Sequence, residues 1–214
     1  MKITLDIPQS ELEKLVAPAI AEPRIPLYGI TWQQYEHFIE MFYGHHNLHL
    51  IYLKGVLEIV TLSPEHEMLK TMIARLLYVY ADALNIDLFS CGSATCKSEA
   101  TERGLEPDES FCLGERKQFP DLAIEVIVTS GGIDKLEVYQ GLKVAEVWFY
   151  KNEKFSVYSL KSDHSGYDAI AQSQIFPNLD LDIMAEYIRP EREPEMVRAW
   201  RKLVNSPNSS NNQL

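Results

Sequence analysis

The 214-residue chain lacks a long hydrophobic run: no stretch approaches the roughly 20 uninterrupted apolar residues of a membrane span. Its first residues, MKITLDIPQSELEKL, carry acidic side chains where a secretory signal would carry an apolar segment. Both absences favour a cytoplasmic protein with no membrane partner. Cysteine is also scarce. Cys91, Cys96 and Cys112 lack the second pair that a zinc site needs, so we expect reduced thiols.

Basic residues are outnumbered, since 20 Lys and Arg stand against 31 Asp and Glu and the formal net charge is -11. The overall electrostatic field of such a chain attracts the phosphate backbone of a nucleic acid poorly. Contact with nucleic acid would therefore depend on a local patch or on metal ions. An excess of carboxylates also supplies ligands for divalent cations, so the charge leaves metal-dependent chemistry open.

The length and a hydrophobic content of 46% predict one domain with a full core. Residues 1–27 contain four prolines and no sustained apolar period, which predicts an N-terminal arm outside the core. Residues 28–204 form the single domain. The polar segment NSPNSSNNQL, residues 205–214, predicts a disordered tail.

Local patterns predict an alternation of helices and strands. Thr31 with Gln34 is a capping box that opens a helix through about Met41, and Lys54-Gly55 joins two β-rich runs as a hairpin. Ser63-Pro64 opens a longer helix with a hydroxyl cap and a proline in its first turn. Further strands are predicted near 88–97, 109–113, 121–128, VAEVWFY, FSVYSL and YDAIAQS, and further helices at 133–141 and 193–204.

Glu125 stands out because it interrupts the apolar strand LAIEVIV, and an unpaired buried carboxylate costs several kcal/mol or more. Its best-placed partner is Asp108, at the start of the preceding strand. An Asp and a Glu on adjacent strands are typical ligands of Mg²⁺. Asp121 shares a face with Glu125 but lies about 13 Å along the strand at ~3.3 Å per residue, so it is a candidate to orient the site or bind a second ion.

The segments LEPDESF, PDLAIEV and DKLEVYQGLKVAEVWFY, preceded by LSPEHE, resemble a widespread bacterial family of restriction endonucleases. That family was long catalogued as a domain of unknown function and belongs to the PD-(D/E)XK nuclease superfamily. The resemblance covers about residues 30–187. It implies a mixed α+β fold with an αβββαβ core, whose mixed central sheet is flanked by helices. It also implies that Asp108 and Glu125 bind Mg²⁺ or Mn²⁺.

The superfamily usually has a lysine two positions after the second acid, where this chain has Ile127. The family resembled here often has its lysine on the following helix, in a pattern that matches Lys135-Leu136-Glu137-Val138-Tyr139. A displaced lysine can serve if its ammonium reaches the same point, because the reaction needs positive charge near the phosphate. Lys135 is therefore our candidate. The alternative is a solvated helix lysine.

Superfamily members commonly add a polar residue from the first core helix. At 100° per residue, Glu65 and His66 fall within about 60° of the inward face, so either could reach the site. The alternative is compensation of the helix dipole. Two other patterns are discounted: the histidines of YGHHNLHL match no metal-site spacing, and Ser130-Gly131-Gly132 lacks the ending of a P-loop.

We therefore expect a metal-dependent endonuclease that hydrolyses DNA phosphodiester bonds, with Asp108, Glu125 and Lys135 at its centre. A homodimer would supply the two sites that cutting both strands requires. Two alternatives stay open. One is a catalytically silent nuclease fold that acts in binding or assembly, which the net charge of -11 and the missing strand lysine favour. The other is a metal-dependent hydrolase of small nucleotides.

Overall fold

The structure, a computed structural model, describes residues 22–45, 47–129 and 131–206. Within these residues the strands form one sheet of five strands and one of six. The strands are β1 Arg24–Tyr28, β2 Leu48–Leu53, β3 Val56–Thr61, β4 Leu88–Ser90, β5 Cys96–Ser98, β6 Arg103–Leu105, β7 Glu109–Leu113, β8 Leu122–Val126, β9 Glu146–Lys151, β10 Lys154–Leu160 and β11 Tyr167–Ile170. The α-helices are α1 Trp32–Met41, α2 Pro64–Ala83, α3 Lys135–Leu142, α4 Leu181–Glu186 and α5 Glu193–Val204.

The five-stranded sheet has the order β1-β3-β2-β6-β5, and its neighbouring strands are antiparallel. The predicted hairpin is confirmed as β2 and β3. Its turn residues, Lys54 and Gly55, have φ angles of 44° and 89°. Positive φ at both central positions is what a two-residue hairpin turn requires, and glycine adopts it without strain.

The six-stranded sheet has the order β11-β10-β9-β8-β7-β4. Strands β8 and β9 are parallel, and the other neighbours in this sheet are antiparallel. The series α2-β4-β7-β8-α3-β9 reproduces the αβββαβ order, and β5 and β6 leave it to join the other sheet. The predicted mixed α+β, restriction-endonuclease-like fold is confirmed.

Apolar side chains hold these elements in layers. One cluster packs α2, α4 and α5 on one face of the six-stranded sheet, through residues such as Leu76, Ile124 and Trp148. A second cluster packs α3 between that sheet's other face and the five-stranded sheet. A third packs α1 on the outer face of the five-stranded sheet. None of the described helices is long and apolar enough to cross a membrane.

The predicted helix caps are confirmed. The Thr31 hydroxyl accepts a hydrogen bond from Gln34 N, and the Gln34 side chain accepts one from Thr31 N, which completes the capping box of α1. The Ser63 hydroxyl accepts from His66 N at 3.1 Å and so fixes the first turn of α2. The α3 cap, Asp134, makes Lys135 the first residue of its helix.

The structure corrects one predicted boundary. The segment predicted as an arm outside the core already contains β1, which pairs with β3 from Arg24 to Tyr28 and buries Ile25. Pairing with β3 stabilises this segment despite its prolines. Strand β1 lies at the edge of its sheet, where proline is tolerated, so Pro26 can occupy it. Residues 1–21 of the predicted arm lie outside the described residues. Helix α5 ends at Val204 as predicted, and 207–214 of the predicted tail also lie outside them.

Candidate active site

Asp108 and Glu125 lie on neighbouring strands, as the sequence predicts. Strands β7 and β8 pair with Glu109 opposite Ile124, so the same register brings Asp108 opposite Glu125. Asp108 Oδ2 accepts a hydrogen bond from Val126 N at 2.7 Å. The two carboxylates are 1% and 0% exposed. They therefore form a pair enclosed between the two sheets.

Helix α3 supplies two donors to Glu125. Lys135 Nζ forms an ion pair with Glu125 Oε2, and the Tyr139 hydroxyl donates a hydrogen bond to Glu125 Oε1. The two donors are four residues apart, so they lie on the same side of the helix. The Lys135 side chain is only 12% exposed. The structure thus excludes the alternative of a solvated helix lysine.

A chain of charged side chains leads from Asp108 to the N-terminal end of the described chain. His66 Nε2 lies 2.9 Å from Asp108 Oδ2, and His66 Nδ1 lies 2.6 Å from Glu22 Oε1. Thr129 also donates a hydrogen bond to Glu22, at 3.4 Å. His66 and Glu22 are almost completely buried. The first turn of α2 therefore holds Asp108 from one side through His66, and Glu22, two residues before β1, holds His66.

The second oxygen of Asp108 is not held in this way. Asp108 Oδ1 is buried and has no hydrogen-bond partner among the described residues. His49 Nδ1 on β2 lies 3.7 Å from this oxygen, which is too long for a hydrogen bond. A buried carboxylate oxygen without a partner is costly, so this atom is a candidate ligand position.

The charges of the site shift the two carboxyl groups in opposite directions. Burial alone would raise the pKa of Asp108, but the Lys135 ammonium and the His66 contact outweigh burial and hold it well below its usual range. Burial raises the pKa of Glu125 to about 7, even though Lys135 opposes the change. Burial disfavours the charged form of Lys135, but Glu125 and Asp108 outweigh it and raise the lysine's pKa. At neutral pH the site therefore contains an ionised Asp108 beside a charged lysine.

The two buried histidines also differ. Burial would lower the pKa of His66, but its contacts with Asp108 and Glu22 raise it to about 9. Burial lowers the pKa of His49 to about 4, and the attraction of Asp108 compensates only in part. His66 is therefore cationic at neutral pH and His49 is neutral. The cation stabilises Asp108 on the side of Oδ2.

A second ion pair lies beside the site, on the five-stranded sheet. Arg24 Nη1 lies 3.0 Å from Glu58 Oε2, and the Glu58 side chain is 3% exposed. Gly132 approaches this carboxylate so closely that a β-carbon there would overlap its oxygens. Its φ of 94° also favours glycine. Glycine at position 132 therefore lets the loop before α3 approach the Glu58 carboxylate without a backbone penalty or displacement of the carboxylate.

Two residues that the sequence singled out, Asp121 and Glu65, lie away from the carboxylate pair. Asp121 accepts from Lys117 Nζ at 2.7 Å and from Leu113 N at 2.8 Å, at the end of β8 away from Glu125. These contacts tie Asp121 to the end of β7 and to the turn before β8. Glu65 is exposed, whereas its neighbour His66 is buried at Asp108. Of the two residues offered by the first turn of α2, only His66 reaches the carboxylates.

Sequence reasoning missed three residues of the site: His49 and Tyr139, which contact the pair, and Glu22, which contacts His66. Glu22 lies in the segment predicted as an arm, His49 belongs to a histidine group that was discounted, and Tyr139 was used only to locate the lysine. His49 carried a usable signal, because it is a polar residue in the apolar strand LHLIYL, the same anomaly that singled out Glu125. Tyr139 carried one too, since it lies one helical turn after Lys135. Glu22 carried no such signal.

The two carboxylates fit a hard divalent cation. Carboxylate oxygens are the ligands that Mg²⁺ prefers, and proteins often hold Mg²⁺ through only one or two of them. The unpartnered Asp108 Oδ1 supplies one such atom next to Glu125. In the described part of the chain, no group of three or more His, Cys, Asp and Glu side chains is arranged to hold a metal. The fit therefore rests on this pair.

An αβββαβ core with an Asp and a Glu at adjoining strands and a lysine on the following helix is typical of a restriction-endonuclease-like protein. A family model described as "Putative restriction endonuclease" (Uma2) matches residues 32–184, more than half of the chain. The protein belongs to this family, and the membership supports a nuclease at the level of the family. A comparison with curated proteins finds no match. Glu22 lies before the matched segment, so its contact with His66 is additional to the matched region.

Proposed function

We propose that this protein is a metal-dependent endonuclease that hydrolyses phosphodiester bonds of DNA. The observation that carries the proposal is the unpartnered, buried oxygen of Asp108 beside Glu125 and Lys135. In a nuclease-family fold, these are the groups that the reaction requires. The coarser assignment to a nuclease family rests on the family match, and metal dependence and the DNA substrate are our proposal.

Asp108 and Glu125 would hold Mg²⁺ or Mn²⁺. Bound there, the metal would polarise a phosphoryl oxygen and assist the ionisation of water. Lys135 supplies a positive charge next to both carboxylates, where negative charge develops on the phosphate. His66, backed by Glu22, keeps Asp108 ionised, and Tyr139 orients Glu125. Each of these residues acts through a contact already present in the structure.

The proposed partner is DNA, held by a local patch rather than by the overall field of a chain with net charge -11. Cutting both strands of a duplex would use two copies of the site, so we propose a homodimer. Sedimentation analysis of the protein with and without duplex DNA tests this state. Action on cellular DNA would also require a cytoplasmic location, as the sequence predicts.

A catalytically silent binding protein is the second candidate. It is favoured by the burial of both carboxylates and by the Lys135–Glu125 ion pair, which occupies Glu125 with an internal cation. In such a protein the ion pair would be a structural substitute for the metal. Asp108 and Glu125 would then stabilise the fold without binding a divalent ion.

A cleavage assay separates the two candidates. Single-stranded, duplex and supercoiled DNA are incubated with the wild-type protein and either Mg²⁺ or Mn²⁺. The same assay is run with Asp108→Asn, which removes one carboxylate charge at similar volume. Asp121→Asn is the matched control, because it changes an Asp on the same sheet that lies outside the site.

The proposal expects cleavage by the wild type and by Asp121→Asn, and a loss of at least about 100-fold for Asp108→Asn. Cleavage that survives in Asp108→Asn would overturn the assignment of the site. If the wild type cuts none of the three substrates with either metal but still binds DNA, the silent binding protein is correct. Release of nucleotides from mononucleotide substrates alone would favour the small-nucleotide hydrolase.

A further inference from the structure

A cavity of about 290 Å³ opens at the edge of β2, next to the carboxylate pair. Strand β6 pairs with β2 only over Ile51–Leu53, so residues 48–50 have no strand neighbour on that side. The space is bounded by the turn after α1, by the loop 93–95 and by Glu106. It is therefore a pocket formed where the sheet stops.

His49 is shared by the cavity and the candidate site. It is one of the residues that line the cavity, and its Nδ1 lies 3.7 Å from Asp108 Oδ1. Glu106, which also lines the cavity, is two residues before Asp108, so their α-carbons are at most about 7 Å apart. Glu106 and the carboxylate pair are therefore close along the chain.

The lining combines aromatic surface with one carboxylate. Phe42 and Tyr43 lie at the cavity, and Tyr43 is 87% exposed, which is unusual for a residue of its size. Glu106 Oε2 accepts from Leu50 N and Oε1 accepts from the Thr95 hydroxyl, each at 3.3 Å. A carboxylate offers about four acceptor positions, so each oxygen of Glu106 can accept one more hydrogen bond.

We propose that this cavity binds the base of an unpaired guanine nucleotide whose phosphate lies at Asp108 and Glu125. Guanine carries two adjacent donors, N1–H and the exocyclic amine, which match the two oxygens of a carboxylate. Adenine and cytosine offer one amine beside an acceptor, which a carboxylate repels. Exposed aromatic rings are the usual stacking surface for unpaired bases. The proposal rests on the proposed function and adds base preference to it.

A purely structural role for Glu106 makes a different prediction. Its carboxylate would then only cap the unpaired edge of β2, and Tyr43 would be a solvent-exposed side chain without a ligand. In that case neither residue would distinguish one base from another. Binding of uncharged nucleosides tests this difference without involving a metal or cleavage.

Deoxyguanosine and deoxyinosine are titrated into the full-length protein in EDTA, by calorimetry or by ligand-observed NMR. Deoxyinosine lacks only the exocyclic amine of guanine. We expect deoxyguanosine to bind about 5- to 100-fold more tightly, as expected for one side of a bidentate contact. A pentanucleotide with one guanine between thymines is titrated in the same way. Its affinity is compared with that of deoxyguanosine, which distinguishes a base within a strand from a free nucleoside.

Three variants complete the test. Glu106→Gln should abolish the preference for deoxyguanosine over deoxyinosine, since an amide has one acceptor oxygen. Tyr43→Ala should weaken both ligands by about 5- to 100-fold through lost stacking. Tyr28→Ala is the matched control, a 75% exposed tyrosine outside the cavity, and it should change nothing.

Equal binding of the two nucleosides by the wild type, or no binding of either, would overturn the proposal. So would unchanged affinity in Tyr43→Ala, a variant whose exposed site makes unfolding no concern. If Glu106→Gln fails to fold, the proposal is still tested by the comparison of the two nucleosides on the wild type and by the affinities of Tyr43→Ala. Because these experiments contain no divalent metal, a protein that binds guanine but cuts no DNA would refute the proposed function alone.

Discussion

Asp108 and Glu125 are both fully buried, but their neighbours stabilise them in different ways. Asp108 receives a backbone N–H and the His66 cation on one oxygen, and its other oxygen is left without a hydrogen bond. Glu125 receives a donor on each oxygen, one of them the Lys135 ammonium. Asp108 is therefore the residue with an open ligand position, and Glu125 is the residue whose charge is already compensated.

Replacing Lys135 should affect both activity and folding. Lys135→Met keeps much of the side-chain volume but removes the charge, and nuclease activity should fall about 10²–10³-fold because the phosphate loses a preorganised cation. The metal-free protein should also be destabilised by about 3 kcal/mol, since Glu125 remains buried without its partner. Cleavage rates and urea denaturation measure the two effects.

The matched control for this prediction is Lys117→Met. Lys117 also pairs with a carboxylate, Asp121, but its side chain is 41% exposed and lies outside the site. It should keep full activity. If Lys135→Met cuts DNA as fast as the wild type, the nuclease function can stand but Lys135 has no part in it.

His66 should make stability depend on pH. Its pKa rises from 6.5 to about 9 on folding, so its contribution is fully present below pH 6.5 and is lost as pH rises through about 9. A shift of this size corresponds to about 3 kcal/mol. In EDTA, the stability difference between wild type and His66→Gln should therefore shrink between pH 6.5 and pH 9 in urea denaturation.

The control histidine is His37 on α1, whose side chain is 40% exposed and lies 3.8 Å from Glu40. His37→Gln should give a stability curve parallel to that of the wild type over the same pH range. A His66→Gln curve that is also parallel would show that the histidine is not charged in the folded protein.

At the scale of elements, α3 acts as a rigid support for Glu125. Lys135 is its first residue and Tyr139 lies one turn later, so a single helix delivers both donors. The Asp134 cap determines where that helix begins. On the opposite side, the first turn of α2 delivers His66 and the chain before β1 delivers Glu22. The site thus depends on the starts of two helices rather than on one loop.

Tyr139→Phe tests this support, because it removes only the hydroxyl that contacts Glu125. A buried carboxylate oxygen then loses its donor, so the metal-free protein should lose about 1–3 kcal/mol. Affinity for Mn²⁺ should fall about 10-fold or more, as for other residues that orient a metal ligand. Calorimetric titration measures the affinity.

Tyr52→Phe is the matched control for Tyr139→Phe. Its hydroxyl is also buried and donates to a backbone oxygen, that of Ile30, at 2.9 Å. It should lose similar stability without any change in Mn²⁺ affinity. Equal Mn²⁺ affinities in Tyr139→Phe and the wild type would contradict an orienting role for the hydroxyl.

At the scale of the whole molecule, the site lies between the two sheets, so it exists only when the layers have assembled. A metal bound there should stabilise the folded state by mass action. At 100 times the dissociation constant, Mn²⁺ should raise the thermal midpoint by about 5–10 °C for a chain of this size. Scanning calorimetry with matched ionic strength checks this value.

The variant for comparison is Asp108→Asn, which should show no rise in midpoint with Mn²⁺ at the same concentrations. Asp121→Asn should behave like the wild type, since the Asp121 carboxylate contacts Lys117 and Leu113 at the opposite end of β8 from Glu125. An equal rise in all three proteins would mean that Mn²⁺ binds elsewhere on this acidic surface.

Local sequence patterns determined most of the elements. The caps at Thr31 and Ser63, the turn at Lys54-Gly55 and the bounds of α5 all agree with the structure. These features depend on interactions between residues within about four positions of each other, so they can be predicted from short segments of the sequence. The pairing of Asp108 with Glu125 was also predictable, because a buried acid in an apolar strand needs a partner on the next strand.

Tertiary structure alone decided which other residues join this pair. His49 reaches Asp108 from β2, Glu22 reaches His66 from the chain before β1, and Asp121 pairs with Lys117 instead of entering the site. Contacts between distant segments depend on how the two sheets and α3 pack. No local periodicity of apolar residues in the sequence indicates that packing. For the same reason the sequence left Lys135 open between a solvated and a buried position, and only the layered core decided it.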